Sequence, residues 1–170
     1  MLKSKNLYLT TILSIIIFQS CGIYSFSGAS IPEEAKSIYI SSFKNESNLA
    51  PANISNNLME ILISKCQNET NLITSTSNES DLNFYGKITK YEIQPISIQN
   101  NEIAAQNRLT IQVEVQYINN LDAAENFKKN FTDYADFNSD QNITEIEDEL
   151  NTLIITNLVD DIFNNAFMKW

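Results

Sequence analysis

Arg108-Leu-Thr-Ile-Gln-Val-Glu-Val-Gln-Tyr-Ile118 constrains the architecture more than any other segment of the 170-residue chain. Apolar and polar residues alternate strictly along it, which is typical of a β-strand with one face in a core and one face in water. Such a strand belongs to an antiparallel sheet, so its neighbours in the chain are expected to pair with it. The side chains predicted to enter the core are those of Leu109, Ile111, Val113, Val115 and Tyr117.

Two further extended segments flank this strand. Residues 81–98 alternate in the same way, with Tyr91 expected on the polar face, and Pro95 is expected to end the pairing or to confine it to a sheet edge. Residues 125–135 follow a polar turn and alternate again. Three strands joined this closely in sequence predict an antiparallel meander.

Two other segments change to a helical period. Asn53 is a plausible N-cap for an amphipathic helix whose apolar positions recur every three or four residues as far as Cys66. Residues 144–168 predict a longer helix, in which Thr144 and Glu147 would form a capping box. Its apolar arc is wide, so either all of it packs on the sheet and the first helix, or part of it contacts another protein.

Residues 36–43 alternate as a first strand, while the polar segments 44–53 and 67–80 are expected to be connections. Leu72 and Ile73 would either form a short edge or cover the end of the first helix. The elements therefore run β-α-β-β-β-α. They predict an α/β fold of the α+β type, a two-layer sandwich with two helices packed on one face of a mainly antiparallel four-stranded sheet.

The amino terminus is typical of a lipoprotein signal. Two lysines precede an apolar run over residues 7–18, and Ser20-Cys21-Gly22 follows it. The run is about twelve residues long, shorter than the roughly 20 that a membrane-spanning helix needs. We expect residues 1–20 to be a signal peptide and Cys21 to be acylated after cleavage. The alternative is an ordinary secretion signal with an incidental cysteine.

Cleavage before Cys21 removes 20 of the 170 residues and leaves 150, the size of one domain. We expect residues 21–35 to be a lipidated tether and residues 36–170 to be a single domain. The signal also takes two of the 11 basic residues, so nine remain against 21 acidic ones and the net charge is −12. This charge argues against nucleic-acid binding and against electrostatic docking on an anionic membrane. Membrane attachment is expected to come through the lipid.

The composition offers little for catalysis. The chain has no histidine, three glycines and two cysteines, and Cys66 falls on the apolar side of the first helix, where we expect a buried thiol. Adjacent carboxylates such as Asp160-Asp161 point about 100° apart on a helix and do not converge. We therefore expect no enzymatic activity, no cofactor and no metal site.

Five segments, in this order, resemble the LptE family of lipopolysaccharide-assembly lipoproteins. They are Cys21-Gly-Ile-Tyr-Ser-Phe-Ser-Gly-Ala-Ser30, Asp81-Leu-Asn-Phe-Tyr-Gly-Lys-Ile-Thr-Lys-Tyr91, Arg108-Leu-Thr-Ile-Gln-Val-Glu-Val-Gln-Tyr117, Tyr134-Ala-Asp-Phe137 and Asp160-Asp-Ile-Phe-Asn-Asn-Ala-Phe-Met-Lys-Trp170. The resemblance implies two helices on a mainly antiparallel sheet. It also implies a protein anchored to the outer membrane and facing the periplasm, within the lumen of an LptD-type β-barrel. There the chain would act as plug and assembly partner while lipopolysaccharide is delivered to the cell surface.

The resemblance also makes lipopolysaccharide a possible ligand, bound through basic residues. The nine basic residues are scattered in the sequence, and only Lys128 and Lys129 are adjacent. A strongly negative surface repels lipid phosphates, so the barrel-partner role is favoured over direct binding. The alternative function is a periplasm-facing lipoprotein that serves as a binding module or as an accessory subunit of an envelope transporter.

Overall fold

The computed structural model describes residues 31–96 and 106–168, which form a mixed α+β domain. The resemblance segment at residues 21–30 and the acylation site lie outside these ranges. In chain order the elements are β1 (Ser37–Ile40), β2 (Lys44–Asn45), α1 (Ile54–Glu69), β3 (Ile73–Ser75), β4 (Leu82–Ile96), β5 (Gln106–Asn119), β6 (Phe127–Asn138) and α2 (Ile143–Phe167). A single 3-10 turn, Ala123–Glu125, connects β5 to β6.

Strands β4, β5 and β6 form the predicted antiparallel meander. The register of β4 on β5 runs from Leu82 opposite Asn119 to Ile96 opposite Gln106, without a break in pairing at Pro95. The pairing of β5 with β6 ends at Tyr117, opposite Phe127. Beyond Ile88, β4 pairs with β5 alone within the described residues, so Pro95 does lie at a sheet edge, where its missing N–H costs no hydrogen bond.

The other half of the sheet is parallel, and here the prediction of a four-stranded, mainly antiparallel sheet is wrong. The strand order is β3-β1-β4-β5-β6, with β2 also paired to β4. β1 runs parallel to both of its neighbours, and β2 runs parallel to β4. The helix α1 carries the chain back to the end of the sheet where β1 began, and a crossover of this kind makes the next strand parallel. Because β2 and β3 have two and three residues, neither is long enough to show an alternating pattern.

A second prediction, that Tyr91 lies on the polar face, is wrong because β4 contains a β-bulge. The register of β4 on β5 shifts between Ile88 and Lys90, so one extra residue is inserted and the alternation changes sides. Tyr91 therefore lies in the core, 4% exposed, and not on the polar face. Its hydroxyl donates a 2.7 Å hydrogen bond to Glu147 Oε1 of α2, and burial raises the pKa of this phenol.

Gly86 lies on the core face of β4, where the ring of Phe43 takes the place of a side chain. A Cβ at this position would lie 2.2 Å from Phe43 Cε1. Phe43 itself is 3% exposed. The glycine thus lets the connection between β1 and β2 insert an aromatic ring directly over the sheet.

Both helices pack on one face of the sheet, as predicted, and cover the side chains predicted to be buried in β5. Phe167 of α2 contacts the rings of Phe84 and Tyr117 at centroid distances of 6.0 Å. Most of the wide apolar arc of α2 is buried, and Leu153 is the exception at 53% exposure. Cys66 is buried between these layers, and its burial raises the pKa of the thiol to about 12.

The boundaries of α2 agree with the sequence to within one residue, whereas α1 ends at Glu69, three residues beyond Cys66 and inside the segment expected to be a connection. The capping of α2 also differs. Asn142 is the N-cap, and its side-chain oxygen accepts a 3.2 Å hydrogen bond from Thr144 N. The capping box predicted between Thr144 and Glu147 is therefore wrong, because Thr144 already lies inside the helix and Glu147 accepts the Tyr91 hydroxyl. Asn53 is the N-cap of α1, as predicted, without a side-chain hydrogen bond.

Candidate functional site: the open face of the sheet

The face of the sheet opposite the helices is built from the residues that alternate with the core. We call it the open face, since no helix of the described ranges packs on it. It is mostly polar, with Ile118 among its apolar exceptions, and its polar side chains include Tyr39, Lys44, Glu46, Tyr85, Lys87, Lys90, Glu92, Arg108, Thr110, Gln112, Glu114, Gln116, Lys128, Asn130, Thr132, Tyr134 and Asp136.

A row of four charges crosses the open face from β2 to β6. Lys87 Nζ lies 2.9 Å from Glu46 Oε2 and 3.8 Å from Glu114 Oε1. Lys128 Nζ lies 3.1 Å from the same Glu114 oxygen. The hydrogen bond to Glu46 is the main cause that raises the pKa of Lys87. The row is possible because Lys87 stands opposite Glu114, and because Lys128 lies two residues from Asn130, the partner of Glu114 on β6, and so on the same face.

A second row, of uncharged side chains, runs beside the first. Thr89 Oγ1 donates to Gln112 Oε1 at 3.1 Å, and Gln112 Nε2 donates to Thr132 Oγ1 at 3.0 Å. Thr89 is the extra residue of the bulge, so the irregularity in β4 serves to bring its hydroxyl to Gln112. Three strands are joined side chain to side chain in this way.

Arg108 organises the end of the open face near the β4–β5 connection. Its guanidinium donates two hydrogen bonds to Asp136, from Nε at 2.7 Å and from an Nη at 2.9 Å. The guanidinium carbon also lies 3.6 Å from the centre of the Tyr134 ring. The hydrogen bonds from Arg108 lower the pKa of the Asp136 carboxyl. A two-point ion pair stacked on an aromatic ring is a rigid arrangement for an exposed charge.

The fold gathers on one face the basic residues that are scattered in the sequence. Five of the nine basic residues left after the signal lie on the open face: Lys44, Lys87, Lys90, Arg108 and Lys128. Four acids share this face, at Glu46, Glu92, Glu114 and Asp136. In contrast, α2 carries six acidic residues and no basic one. The molecule is therefore electrically two-sided, which sequence order alone does not reveal.

The pair Lys128-Lys129 does not act as a unit, because neighbouring residues of a strand point to opposite faces. Lys128 joins Glu114 on the open face, whereas Lys129 Nζ donates to Asn165 Oδ1 of α2 at 2.8 Å. Asp160 and Asp161 likewise separate. Asp160 Oδ1 lies 2.8 Å from Lys65 Nζ of α1, and Asp161 lines a groove beside β6.

Residues 31–96 and 106–168 contain no group of three acidic, cysteine or histidine side chains that could hold a metal ion. The same ranges contain no helix that is long and apolar enough to cross a membrane. What the open face offers is a preorganised set of hydrogen-bond donors and acceptors. Such a surface suits binding of a large polar partner better than chemistry on a small one.

No curated protein matches the chain by sequence. A minor lipoprotein from Acinetobacter baumannii has a similar structure, with a TM-score of 0.51, 14% identity, and 79% of this chain and 98% of that chain covered. A homolog of a neuraminyllactose-binding hemagglutinin from Helicobacter pylori gives a TM-score of 0.52 at 8% identity, with 83% and 88% covered. A hypothetical protein from Chlamydia trachomatis gives 0.51 at 8% identity, with 78% and 98% covered.

These structural likenesses, at identities of 8% to 14%, establish the fold. The family assignment comes from the sequence. The LptE family model, described as lipopolysaccharide-assembly, matches residues 35–166 and so spans β1 to the last turn of α2. The meander and α2 that the resemblance emphasised both lie within the match. The chain therefore belongs to the LptE family of lipopolysaccharide-assembly proteins.

Proposed function

We propose that this protein is a lipoprotein of the outer membrane that acts as plug and assembly partner of an LptD-type β-barrel during delivery of lipopolysaccharide to the cell surface. The observation that carries the proposal is the family match over residues 35–166. Acylation of Cys21, after removal of residues 1–20, would hold the domain at the membrane. Two or more acyl chains are needed for stable attachment, because a single chain binds only marginally.

The open face supports a partner role. The charges of its central row, from Glu46 through Lys87 and Glu114 to Lys128, are already paired with one another. A surface of this kind can lie against a polar wall without leaving a buried charge unpaired. Because hydrogen bonds between side chains already fix many rotamers, less conformational entropy is lost when a partner covers them. The inner wall of a wide barrel is polar, so the two surfaces are compatible.

The same pairing argues against direct capture of lipopolysaccharide by the open face. A lipid phosphate would have to compete with Glu114 for two lysines and with Asp136 for the bidentate Arg108. The acidic surface of α2 would repel the phosphate as well. We therefore place the protein as a partner of the barrel, with lipopolysaccharide passing beside it.

Affinity purification tests this proposal. Tagged full-length protein should recover a large β-barrel protein from detergent-solubilised outer membrane. Glu114→Gln removes the charge that joins two lysines of the row, and it should reduce recovery of the barrel while leaving the level of folded protein unchanged. Glu60→Gln is a matched control, because Glu60 is exposed on α1, away from the open face. Cys21→Ala should abolish recovery from the membrane fraction.

Recovery of no barrel protein, from cells in which the tagged chain still supports growth, would contradict the proposal. If Glu60→Gln and Glu114→Gln reduce recovery of the barrel equally, the open face is not the surface that contacts the barrel.

A groove on the surface of α2 supports the second candidate, a lipoprotein that binds an apolar ligand. The groove has a volume of about 650 Å³ and is lined by Asp148, Glu149, Leu150, Thr152, Leu153 and Thr156. Leu153 is the exposed member of the apolar arc. If this function holds, the purified protein binds a fluorescent fatty acid. Its affinity for the fatty acid should fall on Leu153→Asp and should be unaffected by Glu114→Gln. The first proposal, in which a barrel is the partner, predicts that the two variants do not differ in binding of the fatty acid.

A further inference from the structure

Six asparagines of the described residues begin Asn-x-Ser/Thr triplets whose middle residue is not proline, the pattern that N-glycosylation of exported proteins requires. They are Asn45, Asn53, Asn68, Asn78, Asn130 and Asn142. An asparagine-rich chain contains such triplets by chance, so the pattern alone selects none of them. The structure separates them by accessibility, because a transferase has to take the asparagine and its neighbours into a groove.

Five of the six asparagines have a buried residue within two positions of them. That residue is Phe43 for Asn45, Ser55 for Asn53, Cys66 for Asn68, Ser80 for Asn78 and Phe131 for Asn130, and each is 1% to 7% exposed. Ser55 and Ser80 are also the hydroxyl residues of their triplets. None of these five segments can enter the groove of another protein unless part of the domain unfolds.

The segment around Asn142 differs, because none of residues 140–144 is buried. They form the turn between β6 and α2 and the first two positions of α2. Asn142 Oδ1 accepts a hydrogen bond from Thr144 N at 3.2 Å, and Asn142 Nδ2 donates to Glu145 Oε1 at 3.2 Å. Both hydrogen bonds are exposed, and the end of a helix opens at low cost. The segment can therefore be taken up by an enzyme without disturbing the core.

Asn142 also has an acidic residue, Asp140, two positions before it. The residues at this position of the other five triplets are not acidic; they are Phe43, Pro51, Cys66, Thr76 and Lys128. The side chains of Asp140 and Thr144 are exposed, and within residues 31–96 and 106–168 neither makes a side-chain hydrogen bond or an ion pair. The carboxylate is thus free to form a charge-assisted hydrogen bond with a basic side chain of a transferase, and the hydroxyl is free to form a second hydrogen bond.

We propose that Asn142 is the acceptor of an N-linked oligosaccharide, added after export by a membrane oligosaccharyltransferase that recognises Asp140 and Thr144. In this reaction Asn142 Nδ2 attacks the anomeric carbon of an oligosaccharide carried on a lipid diphosphate. A C–N bond forms while the bond from the anomeric carbon to the diphosphate oxygen breaks, and the electron pair leaves with the lipid diphosphate. One proton of the Asn142 amide passes to a basic group of the transferase.

The position of the turn is compatible with a plug. β6 ends at Asn138, opposite Gln106 of β5, so the turn lies at the end of the sheet remote from Ser37, where β1 begins. A glycan at this end leaves the open face uncovered, whereas a glycan on Asn130 would stand on it. The proposal requires export of the chain but no barrel, so it goes beyond the proposed function.

Mass spectrometry of the full-length protein, isolated from the membranes of its own host, tests the proposal. Trypsin releases residues 130–169 as one peptide, which contains both Asn130 and Asn142. We expect most of this peptide to carry an oligosaccharide, and fragmentation should place it on Asn142. Asn142→Ser should abolish the modification but retain a helix cap, since serine caps helices as well as asparagine does. Asn130→Gln is the matched control and should leave the modification unchanged.

Substitutions on either side of Asn142 test the recognition. Asp140→Asn removes a charged hydrogen-bond partner of the transferase and should lower the glycosylated fraction about tenfold. Thr144→Val should abolish the modification, and Thr144→Ser, which keeps the hydroxyl, should retain it. Circular dichroism verifies that each variant is folded.

An unmodified peptide of residues 130–169, from folded protein recovered in the host membranes, would overturn the proposal. So would an oligosaccharide on Asn130, or one on Asn142 that is undiminished in Asp140→Asn and Thr144→Val. Recovery of the barrel is a separate measurement. Unmodified protein that still recovers the barrel would therefore contradict this inference alone.

Discussion

The two faces of strand β5 differ in almost every property although they alternate residue by residue. On the core face, Leu109, Ile111, Val113 and Val115 are all fully buried beneath the helices. On the open face, Gln112 and Glu114, which lie between them, belong to rows of hydrogen bonds and ion pairs. The core face determines which fold forms, and the open face determines what the folded protein can contact. The difference between them can be measured.

The largest contrast is expected between two consecutive residues. Ile111→Ala should lower the free energy of unfolding by about 2–5 kcal/mol, because it removes buried methyl groups and leaves a cavity. Thr110→Ala, on the open face, should change it by about 0.5 kcal/mol or less. Urea unfolding followed by circular dichroism measures both. Similar losses for the two variants would mean that the faces are not as different as their burial indicates.

The contact between Gly86 and Phe43 provides a second test of packing on the core face. Gly86→Ala should cost about 1–3 kcal/mol, because the new methyl group overlaps a ring that is buried and has no room to move. In a Phe43→Ala background the same change should cost much less. A double-mutant cycle in urea provides the test. Equal costs in the two backgrounds would exclude the contact as the cause.

Asp81 joins the two parts of the sheet at the ends of the adjacent inner strands β1 and β4. Its Oδ2 accepts hydrogen bonds from Lys36 N at 2.9 Å, from the Ser37 hydroxyl at 2.8 Å and from Ser37 N at 2.9 Å. These donors lower the pKa of the Asp81 carboxyl. Its contribution to stability is therefore complete above the unfolded pKa of about 4 and is lost as the pH falls through the folded pKa.

Asp81→Asn should accordingly cost about 1 kcal/mol at pH 7, a value discounted for the exposure of the carboxyl, and progressively less as the pH falls below about 4. Unfolding curves of both proteins, measured at pH values from about 3 to about 7, test this prediction. A difference between the two that stays constant over this range would contradict the role of the charge.

Of the two charged residues tested, the one on the open face is expected to have the smaller effect on stability. Glu114→Gln breaks the link between Lys87 and Lys128, yet it should lower the free energy of unfolding by only about 0.2–1 kcal/mol, because these charges are exposed and screened. Thermal unfolding at low and high salt should show the loss at low salt alone. A loss as large as that of Ile111→Ala would give this face a structural role.

The sequence predicted the meander and both helices because those elements are long enough to repeat a period. The prediction failed for strands that are too short to repeat the alternation, and it failed where one inserted residue shifts the alternation to the other face. β2 and β3 are too short to alternate, and the parallel pairing of β1 depends on a crossover that no single segment encodes. Tyr91 was placed on the wrong face because a bulge cannot be recognised from alternation alone.

The candidate site was missed for a related reason. Lys87, Arg108 and Lys128 are some twenty residues apart in the sequence, and only strand pairing gathers them on one surface. Alternation predicted correctly that Lys87 would lie on the polar face of its strand. The register decides which of them become neighbours, and register depends on contacts between distant segments. The acylation of Cys21 stays a prediction that depends on residues 1–22.

The central claim is that the protein is needed for delivery of lipopolysaccharide through a barrel. Depletion of the protein in its host, with surface lipopolysaccharide and the folded state of the LptD-type barrel scored in the same cells, tests it most directly. We expect surface lipopolysaccharide to fall and the barrel to accumulate in an unfolded or misassembled form. Unchanged surface lipopolysaccharide together with a correctly folded barrel would contradict the claim.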